Sequence, residues 1–207
     1  MDSYKTVKER GEFSFEEKRS EFIGYAIPIS TEDEAISFIA AVKKQYPDAR
    51  HWVYAYSLRE NHTMRDSDDG EPQGTAGIPI LDIIRKKEIT DICVVVVRYF
   101  GGILLGTGGL VHAYSRAAIE AINAAHVIEY SIFATLKLSV SYSDYQRVFT
   151  IMSNNDFSVT DTEYSDSVVI IGTVSEDKTE AFLKEISEAT SGRCQCELIE
   201  KKFGFRE

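Results

Sequence analysis

The sequence has few cysteines and no long apolar stretch. Only three of its 207 residues are cysteine, and Cys93 lies inside the most apolar segment. This odd count argues against a secreted disulfide framework and favours reduced thiols. No run approaches the roughly 20 apolar residues of a membrane-spanning helix, and residues 1–13 lack the apolar core and cleavage site of a signal peptide. We therefore expect a cytoplasmic protein that does not contact a membrane.

Basic residues are outnumbered by acidic ones, so the formal net charge is -10. Binding to nucleic acid without sequence preference draws its free energy mainly from Lys and Arg, which release counterions. The charge therefore argues against indiscriminate binding but leaves room for a local basic patch. A hydrophobic content of 43% and a charged content of 27% are typical of a globular protein with a buried core.

Familiar metal-binding and catalytic motifs are absent as well. No H-x-x-x-H, H-E-x-x-H or G-x-S-x-G spacing occurs. The acidic segment 66–77, DSDDGEPQGTAG, departs from the EF-hand loop, because its glycine comes one position early and its twelfth residue is Gly77. Cys194 and Cys196 lie two apart on a predicted strand and are expected to pack rather than bind metal. We expect no metal and no cofactor.

The second part of the sequence predicts the element order βαββαβ. Its strand-like segments are 134–142, 156–164, 167–175 and 193–203. One predicted helix begins with the capping-box pair Ser143 and Gln146, and the other begins near Asp177 and ends at Gly192. This is the order of the ferredoxin-like split βαβ unit.

The first part also combines strands and helices. Its strand-like segments are 12–19, 21–29, 51–59 and 91–100. Segment 91–100 is apolar on successive residues, which predicts a strand at the centre of its sheet. One helix begins with the capping box of Thr31 and Glu34, a second is predicted over 76–88, and a third follows the glycine-rich segment. The polar segment 60–75 is too long for a hairpin turn, which is typical of a functional or disordered loop.

Glycines concentrate in the segment RYFGGILLGTGG, Arg98–Gly109, which has five glycines in twelve residues. Gly101 and Gly106 have the spacing of a P-loop, but Thr107 stands where the phosphate-binding lysine is required. The dinucleotide-binding fingerprint fails at Val111, where a third glycine is needed. Both nucleotide motifs are therefore excluded.

Two interpretations of these glycines remain. Backbone amides at the positive amino end of the following helix could hold a phosphate or carboxylate. Alternatively, the glycines only allow a tight turn and a close approach of the helix to the sheet. Arg98 has a similar ambiguity, because its guanidinium could bind an oxyanion through two bonds or form an ion pair with an acid of segment 60–75.

The acids of the polar segment also have two interpretations. Asp68, Asp69 and Glu71 could share Mg²⁺ with a substrate phosphate or act as acid and base. Clustered acids in a loop are otherwise solvated or capping residues. The sequence leaves both open.

Three segments together resemble the signature of the YigZ/IMPACT family. DSDDGEPQGTAGIPIL at 66–81 and VVVVRYFGGILLGTGGLVHAYS at 94–115 resemble its two main motifs without gaps. ARHWVYAYSLR at 49–59 resembles the H-x-x-x-A-Y segment that precedes them. The second half is similar to the additional C-terminal domain of bacterial members, so the resemblance covers nearly the whole chain.

The resemblance implies a two-domain α+β protein. Residues 1–131 would form an N-terminal domain with a mixed sheet and helices, of the ribosomal-protein and GHMP-kinase superfold. Residues 132–207 would form a ferredoxin-like domain similar to the last domain of elongation factor G.

The resemblance also implies site residues. The positions that match the family motifs are His51, Asp69, Gly70, Glu71, Gly74, Arg98, Gly101, Gly102, Gly106, Gly109 and Tyr114. The anion-binding or ligand-binding set that we predict is His51, Arg98, Gly101, Gly102, Gly106, Gly108, Gly109, His112 and Tyr114. His112 stands where bacterial relatives commonly have Lys or Arg, so the resemblance does not imply a permanently charged phosphate contact at this position.

Two functional hypotheses follow. The resemblance implies regulation of translation initiation through protein contacts, as in eukaryotic relatives, and for bacterial members a nucleic-acid-binding or translation-linked role is the usual suggestion. The first hypothesis is a binding protein rather than an enzyme. It would contact RNA or a ribosome-associated protein through the groove between the two loops that carry the motifs at 66–81 and 94–115. The second is an enzyme acting on a phosphorylated small molecule, with Asp69 or Glu71 as base and Arg98 with loop amides as the anion site. The oligomeric state is left open.

Overall fold

The chain divides into two compact units in a computed structural model that describes residues 3–205. Residues Tyr4–Glu129 form the N-terminal unit, and the described residues from Tyr130 onward form the C-terminal unit. Each unit combines helices with an antiparallel sheet, so the protein is of the α+β class. None of the helices within residues 3–205 is long and apolar enough to cross a membrane.

The N-terminal unit is built around one five-stranded sheet with the strand order β2-β3-β6-β4-β5. Its elements in chain order are β1 (Tyr4–Val7), β2 (Gly11–Glu17), β3 (Ser20–Pro28), α1 (Glu32–Gln45), β4 (His51–Ser57), β5 (Met64–Ser67), α2 (Gly77–Lys86), β6 (Ile92–Tyr99) and α3 (Gly106–Ala124). The predicted central position of segment 91–100 is confirmed, because β6 is the middle strand.

The expectation of a mixed sheet in this unit is wrong. β3 and β4 run in the same direction, but β6 lies between them and runs opposite to both. The crossover from β3 through α1 to β4 leaves space for one strand, and β6 fills that space. Neighbouring strands of this sheet are therefore antiparallel throughout.

Helices cover both faces of β6, which explains its continuous apolar sequence. Successive side chains of a strand point to opposite faces. Cys93, Val95 and Val97 belong to the core on the α1 side, whereas Val94 and Val96 belong to the core on the α2 and α3 side. All five side chains are fully buried.

α3 lies very close to β2 and β3. A Cβ atom at Gly24 would lie 2.6 Å from the carbonyl oxygen of Ala117, and one at Gly11 would collide with that of Ala121. The close approach of this helix to the sheet therefore depends on glycines of the strands and on alanines of α3.

The C-terminal unit has the predicted element order βαββαβ. Its elements are β7 (Val127–Val140, which begins in the N-terminal unit), α4 (Tyr142–Asn154), β8 (Ser158–Tyr164), β9 (Val168–Ser175), α5 (Glu176–Thr190) and β10 (Gln195–Phe205). The strands pair antiparallel in the order β10-β7-β9-β8. Leu136 and Leu138 of β7 share one core with Val148 of α4 and with Phe182 and Ile186 of α5.

The structure confirms the capping box that the sequence predicts for α1 but not the one that it predicts for α4. The Thr31 hydroxyl accepts a hydrogen bond from the Glu34 amide at 3.2 Å, and the Glu34 carboxylate accepts from the Thr31 amide at 3.3 Å. The predicted start of α4 at Ser143 is wrong. Ser141 is the N-cap and accepts from the Asp144 amide at 3.3 Å, because the helix follows directly on the end of β7.

The polar segment 60–75 contains more structure than the sequence predicts. A 3₁₀ turn at Glu60–His62 leads into β5, which pairs with β4 at the edge of the sheet. β5 is four residues long and largely exposed. Its sequence lacks the alternation of apolar and polar residues that identifies a strand.

Candidate functional site

Asp68 holds the acidic loop, residues 68–76 between β5 and α2, against the amino end of α2. Its Oδ2 accepts a hydrogen bond from the Gly74 amide at 2.7 Å, and its Oδ1 accepts from the amides of Ala76 and Gly77 at 3.0 and 2.8 Å. Ala76 is the N-cap of α2 and has no side-chain acceptor of its own. Asp68 therefore supplies the acceptor that an N-cap side chain normally gives.

Asp69 connects the same loop to β4 and α1. Its Oδ2 accepts from the Trp52 amide at 2.8 Å, and its Oδ1 pairs with Lys43 Nζ at 2.9 Å. Its carbonyl oxygen lies 2.8 Å from His51 Nδ1. Because a carbonyl only accepts, His51 has its proton on Nδ1 in this contact. Both carboxylate oxygens of Asp69 are therefore engaged in contacts that shape the loop.

Glu71, Arg98 and Tyr114 form a buried polar cluster. Arg98 Nη1 donates to Glu71 Oε1 at 2.5 Å, and the Tyr114 hydroxyl donates to the same oxygen at 2.7 Å. His51 Nε2 lies 3.8 Å from that oxygen as well. Burial, and then the charge of Glu71, raises the pKa of Tyr114 well above its usual range, so Tyr114 is a neutral donor. The structure thus contains the ion pair between Arg98 and an acid of segment 60–75, which is one of the two interpretations that the sequence left open.

The ion pair does not satisfy the whole Arg98 guanidinium. Nη2 donates to the Ser20 hydroxyl at 3.3 Å, and Nε is buried without a hydrogen-bond partner among residues 3–205. The guanidinium also lies 5.4 and 5.6 Å from the ring centres of Phe22 and Phe100. A buried donor without a partner is costly, so an oxygen that reached Nε would gain a hydrogen bond and remove that cost.

The glycines of segment 98–109 differ in their surroundings. A Cβ atom at Gly101 would collide with the backbone of Arg19, so this glycine is required for close packing. Gly102 and Gly106 have φ values of 83° and 76°, which favour glycine. At Gly106 and Gly108 a Cβ atom would meet nothing within 4 Å. Packing therefore explains Gly101, but it does not explain Gly108.

The amino end of α3 has no side-chain cap. Its N-cap residue Leu105 makes no capping hydrogen bond, and the first turn contains no acid. Gly106, Thr107 and Gly108, the first three residues of the helix, are exposed. Amides at this position lack partners within the helix and form its positive end.

A cleft of about 370 Å³ lies beside this helix end within the N-terminal unit. The ionisable side chains that line it are Arg50, His51, Glu71 and Arg98, and the apolar ones include Phe100, Leu104, Leu105 and Leu110. Arg50 is exposed and forms no ion pair within residues 3–205. Since Arg98 and Glu71 neutralise each other, Arg50 leaves the cleft with positive charge in a protein whose net charge is -10.

Three of the nine predicted anion-site residues line the cleft, namely His51, Arg98 and Gly106. The other six lie outside its lining. Tyr114 is fully buried, Gly101 and Gly109 are partly buried, and Gly102, Gly108 and His112 are exposed. The structure therefore groups part of the predicted set around one cleft, with Tyr114 bonded to Glu71 of the lining.

Sequence reasoning misses Arg50, Phe100 and Leu104. Arg50 directly precedes His51 at the start of β4, and its amide donates to the Arg98 carbonyl at 2.9 Å. The register of β4 on β6, which places His51 opposite Arg98, explains this neighbourhood. Pairing of distant strands is not visible in the local sequence pattern.

The fold and the cleft thus define a two-unit α+β protein with a cationic cleft in its first unit. Residues 18–122 match the family described as the Impact N-terminal domain, and residues 138–193 match a domain of unknown function, DUF1949. The chain therefore belongs to the IMPACT family, as its sequence motifs predict.

Relatives match along nearly the full chain. IMPACT family member YvyE of Bacillus subtilis (strain 168) is 39% identical over 194 residues, which cover 93% of this chain and 89% of the relative. IMPACT family member YigZ of Escherichia coli (strain K12) is 31% identical over 188 residues, which cover 89% of this chain and 92% of the relative. A crystal structure described as that of a hypothetical protein aligns with a TM-score of 0.60 and 29% identity, covering 97% of this chain and 98% of that one.

Proposed function

We propose that the protein is a binding protein linked to translation and that the cleft beside α3 binds a phosphate of single-stranded RNA. The proposal rests on one observation above all, the grouping of Arg50, Arg98 and the uncapped amino end of α3 around one cleft. Helix amino ends and arginine guanidinium groups are both well suited to bind phosphate oxygens.

The roles of the cationic groups differ. Arg50 is exposed and unpaired among the described residues, so it can approach a phosphate without breaking another contact. Arg98 is already engaged with Glu71, and its remaining contribution is the Nε donor. Arg50 should therefore supply most of the electrostatic free energy of binding, and Arg98 should contribute to geometry.

Apolar side chains of the cleft suit a nucleic-acid base. Phe100 is 48% exposed although it lines the cleft, and its ring lies beside the Arg98 guanidinium. Bases of single-stranded nucleic acid stack on exposed aromatic rings. A single strand also needs only a local positive surface, which is compatible with the negative charge of the whole chain.

The carboxylates that an enzyme would require are engaged elsewhere. Asp69 binds Trp52 and Lys43, and Glu71 Oε1 binds Arg98 and Tyr114. These contacts support a binding protein more than the alternative of an enzyme with Asp69 or Glu71 as base, since a general base must reach the proton that it removes.

The link to translation rests on domain resemblance. We propose that residues 1–131 form a domain of the ribosomal-protein and GHMP-kinase superfold. We propose that residues 132–207 form a ferredoxin-like domain similar to the last domain of elongation factor G. Their βαββαβ order is that of the ferredoxin-like unit.

A titration with fluorescently labelled single-stranded RNA of about ten nucleotides tests the proposal. We expect affinity that falls as salt rises, and we expect Arg50→Ala to lower the slope of log affinity against log salt by about 0.7. Arg65→Ala is the matched control, because Arg65 is also exposed in this unit but does not line the cleft. Absence of binding at low salt, or an equal effect of the two substitutions, would refute the RNA proposal.

A second candidate, contact with a ribosome-associated protein, is favoured by Leu104. This side chain is 81% exposed, and the neighbouring Ile103 is 41% exposed. Exposed apolar side chains in one loop are typical of protein interaction sites. In a pelleting assay with purified ribosomes, Leu104→Ser should reduce binding more than Arg50→Ala if a protein is the partner, and the order should reverse for RNA.

A further inference from the structure

Cys194 and Cys196 form an accessible pair of thiols in the C-terminal unit. Their Sγ atoms lie 3.9 Å apart at the start of β10. Both are free thiols, Cys194 half-buried and Cys196 exposed. The expectation that both pack in the core applies only to Cys194, which contacts the core beneath α4 and α5.

We propose that these two cysteines are a reversible disulfide site that exchanges with small-molecule disulfides. A disulfide requires a sulfur distance of about 2.05 Å, so the two sulfurs must approach each other by about 1.9 Å. Rotation of the exposed Cys196 side chain can provide much of this movement. The chain bends at Cys194, just before β10 begins at Gln195.

The surroundings of the two thiols assign them different roles. The Cys194 backbone is anchored, because its amide donates to the buried Thr190 hydroxyl at 3.3 Å. Cys196 lies on the edge strand β10 with exposed neighbours on both sides. Cys196 is therefore the sulfur that a dissolved disulfide can reach, and Cys194 is the sulfur that resolves the product.

The directions of the two pKa shifts agree with this assignment. A hydrogen bond from the Cys194 thiol lowers the pKa of Cys196 below its ordinary value. The same contact, together with burial, raises the pKa of Cys194. The thiolate is the form that attacks a disulfide. The nearby Arg193 donates twice to the Asp144 carboxylate, at 2.9 and 3.0 Å, so its charge is already paired.

The exchange proceeds in two balanced steps. First, the Cys196 thiolate attacks one sulfur of glutathione disulfide, whose S–S bond breaks as one glutathione thiolate leaves and a mixed disulfide forms. Second, Cys194 loses its proton to solvent and attacks Cys196 Sγ, which expels the second glutathione as a thiolate. Two protein thiols are oxidised, and one glutathione disulfide is reduced to two thiols.

A metal ion is a weaker fit to this pair. No group of three or more candidate ligands from His, Cys, Asp and Glu occurs within the part of the chain that the structure describes. A structural zinc site uses four ligands. Two thiols alone are sufficient for a disulfide.

The full-length chain can test the exchange directly. It is equilibrated with mixtures of reduced and oxidised glutathione, free thiols are trapped by alkylation, and the tryptic peptide 194–201, which contains both cysteines, is analysed by mass spectrometry. We expect this peptide to carry no alkyl group and to be lighter by two hydrogen atoms than its reduced form before alkylation. The buried Cys93 is the internal control and should stay reduced in the folded chain.

Single substitutions test the assigned roles. Cys194→Ser should accumulate a glutathione adduct on Cys196, and Cys196→Ser should react at least about tenfold more slowly with glutathione disulfide. Recovery of both cysteines as free thiols in excess glutathione disulfide would overturn the proposal. A separate glutathione on each cysteine, or a disulfide between two chains, would overturn it as well.

Discussion

Arg98 Nη1 donates to Glu71 Oε1 at 2.5 Å, and both side chains are about 95% buried, with 5% and 4% of their surface exposed. The pair joins the central strand β6 to the acidic loop, although 26 residues lie between the two positions. Burial makes the two charges dependent on each other, since either one alone would be left without compensation.

Removal of the negative partner should therefore destabilise the N-terminal unit. We expect Glu71→Gln to lower the free energy of unfolding by about 3 kcal/mol, because the Arg98 charge would stay buried without its partner. The single tryptophan, Trp52 in β4, allows urea unfolding of this unit to be followed by fluorescence.

Glu88→Gln, in the same unit, is the matched control for this substitution. Glu88 forms an exposed pair with Lys5 at 3.7 Å. We expect a change below about 0.5 kcal/mol. If both substitutions had equally small effects, Arg98 and Glu71 would not form a structural pair in solution.

Gly108→Ala should raise the stability of the fold and lower the affinity for RNA, so it separates the two properties. A Cβ atom there meets nothing within 4 Å, and alanine favours a helix over glycine, so the free energy of unfolding should rise by about 0.5 kcal/mol. The new methyl group points toward the amino end of α3. We therefore expect affinity for single-stranded RNA to fall by about tenfold, measured by fluorescence anisotropy.

Gly106→Ala is a useful comparison, because the φ value of 76° should make this substitution cost about 1 kcal/mol. Unchanged RNA affinity in Gly108→Ala, together with higher stability, would show that the amides of this helix end do not contact the ligand.

Asp68 should stabilise the fold through α2. We expect Asp68→Ala to lower the free energy of unfolding by about 2 kcal/mol, since three backbone amides lose their acceptor. Asp82→Ala, on the exposed face of the same helix, should change it by less than about 0.5 kcal/mol. Trp52 fluorescence in urea measures both, and equal effects would refute the capping role.

Asp144 should make the C-terminal unit sensitive to acid. Hydrogen bonds from Arg193 are the main cause that lowers the pKa of Asp144 below its ordinary value of 3.8. The charged carboxylate therefore stabilises the fold fully above pH 3.8, and this contribution is lost as the pH falls through the lower pKa of the folded state.

Asp144→Asn removes this titration. In urea unfolding followed by circular dichroism, we expect the difference in stability between the wild-type chain and Asp144→Asn to be largest near neutral pH and to shrink below pH 3.8. A difference that is independent of pH would show that the carboxylate charge does not contribute.

Local sequence patterns predict much of this fold. The capping box of Thr31 and Glu34, the buried strand β6 and the βαββαβ order all follow from residues close together in the chain. The short polar strand β5 is missed because its sequence has no distinctive pattern. The cap at Ser141 is missed because Ser141 with Asp144 and Ser143 with Gln146 both have capping spacing, and the end of β7 decides between them. Local sequence patterns do not predict an element whose conformation is decided by residues distant in the chain.

The cleft illustrates this limit. The sequence indicates Arg98 and the glycines, but the partner of Arg98 is fixed by the fold of the acidic loop. Arg50 enters the cleft because β4 pairs with β6 in a particular register. The sequence also leaves the role of the glycines open. The structure separates Gly101, where a Cβ atom would collide with Arg19, from Gly108, where it would meet nothing within 4 Å.

An NMR titration of the isotope-labelled chain with single-stranded RNA tests the proposed cleft most directly. We predict that the backbone amides of Gly106, Thr107 and Gly108 and the Nε–H groups of Arg50 and Arg98 shift first and saturate together. Shifts confined to other parts of the chain, or none at low salt, would contradict the proposal that this cleft binds RNA.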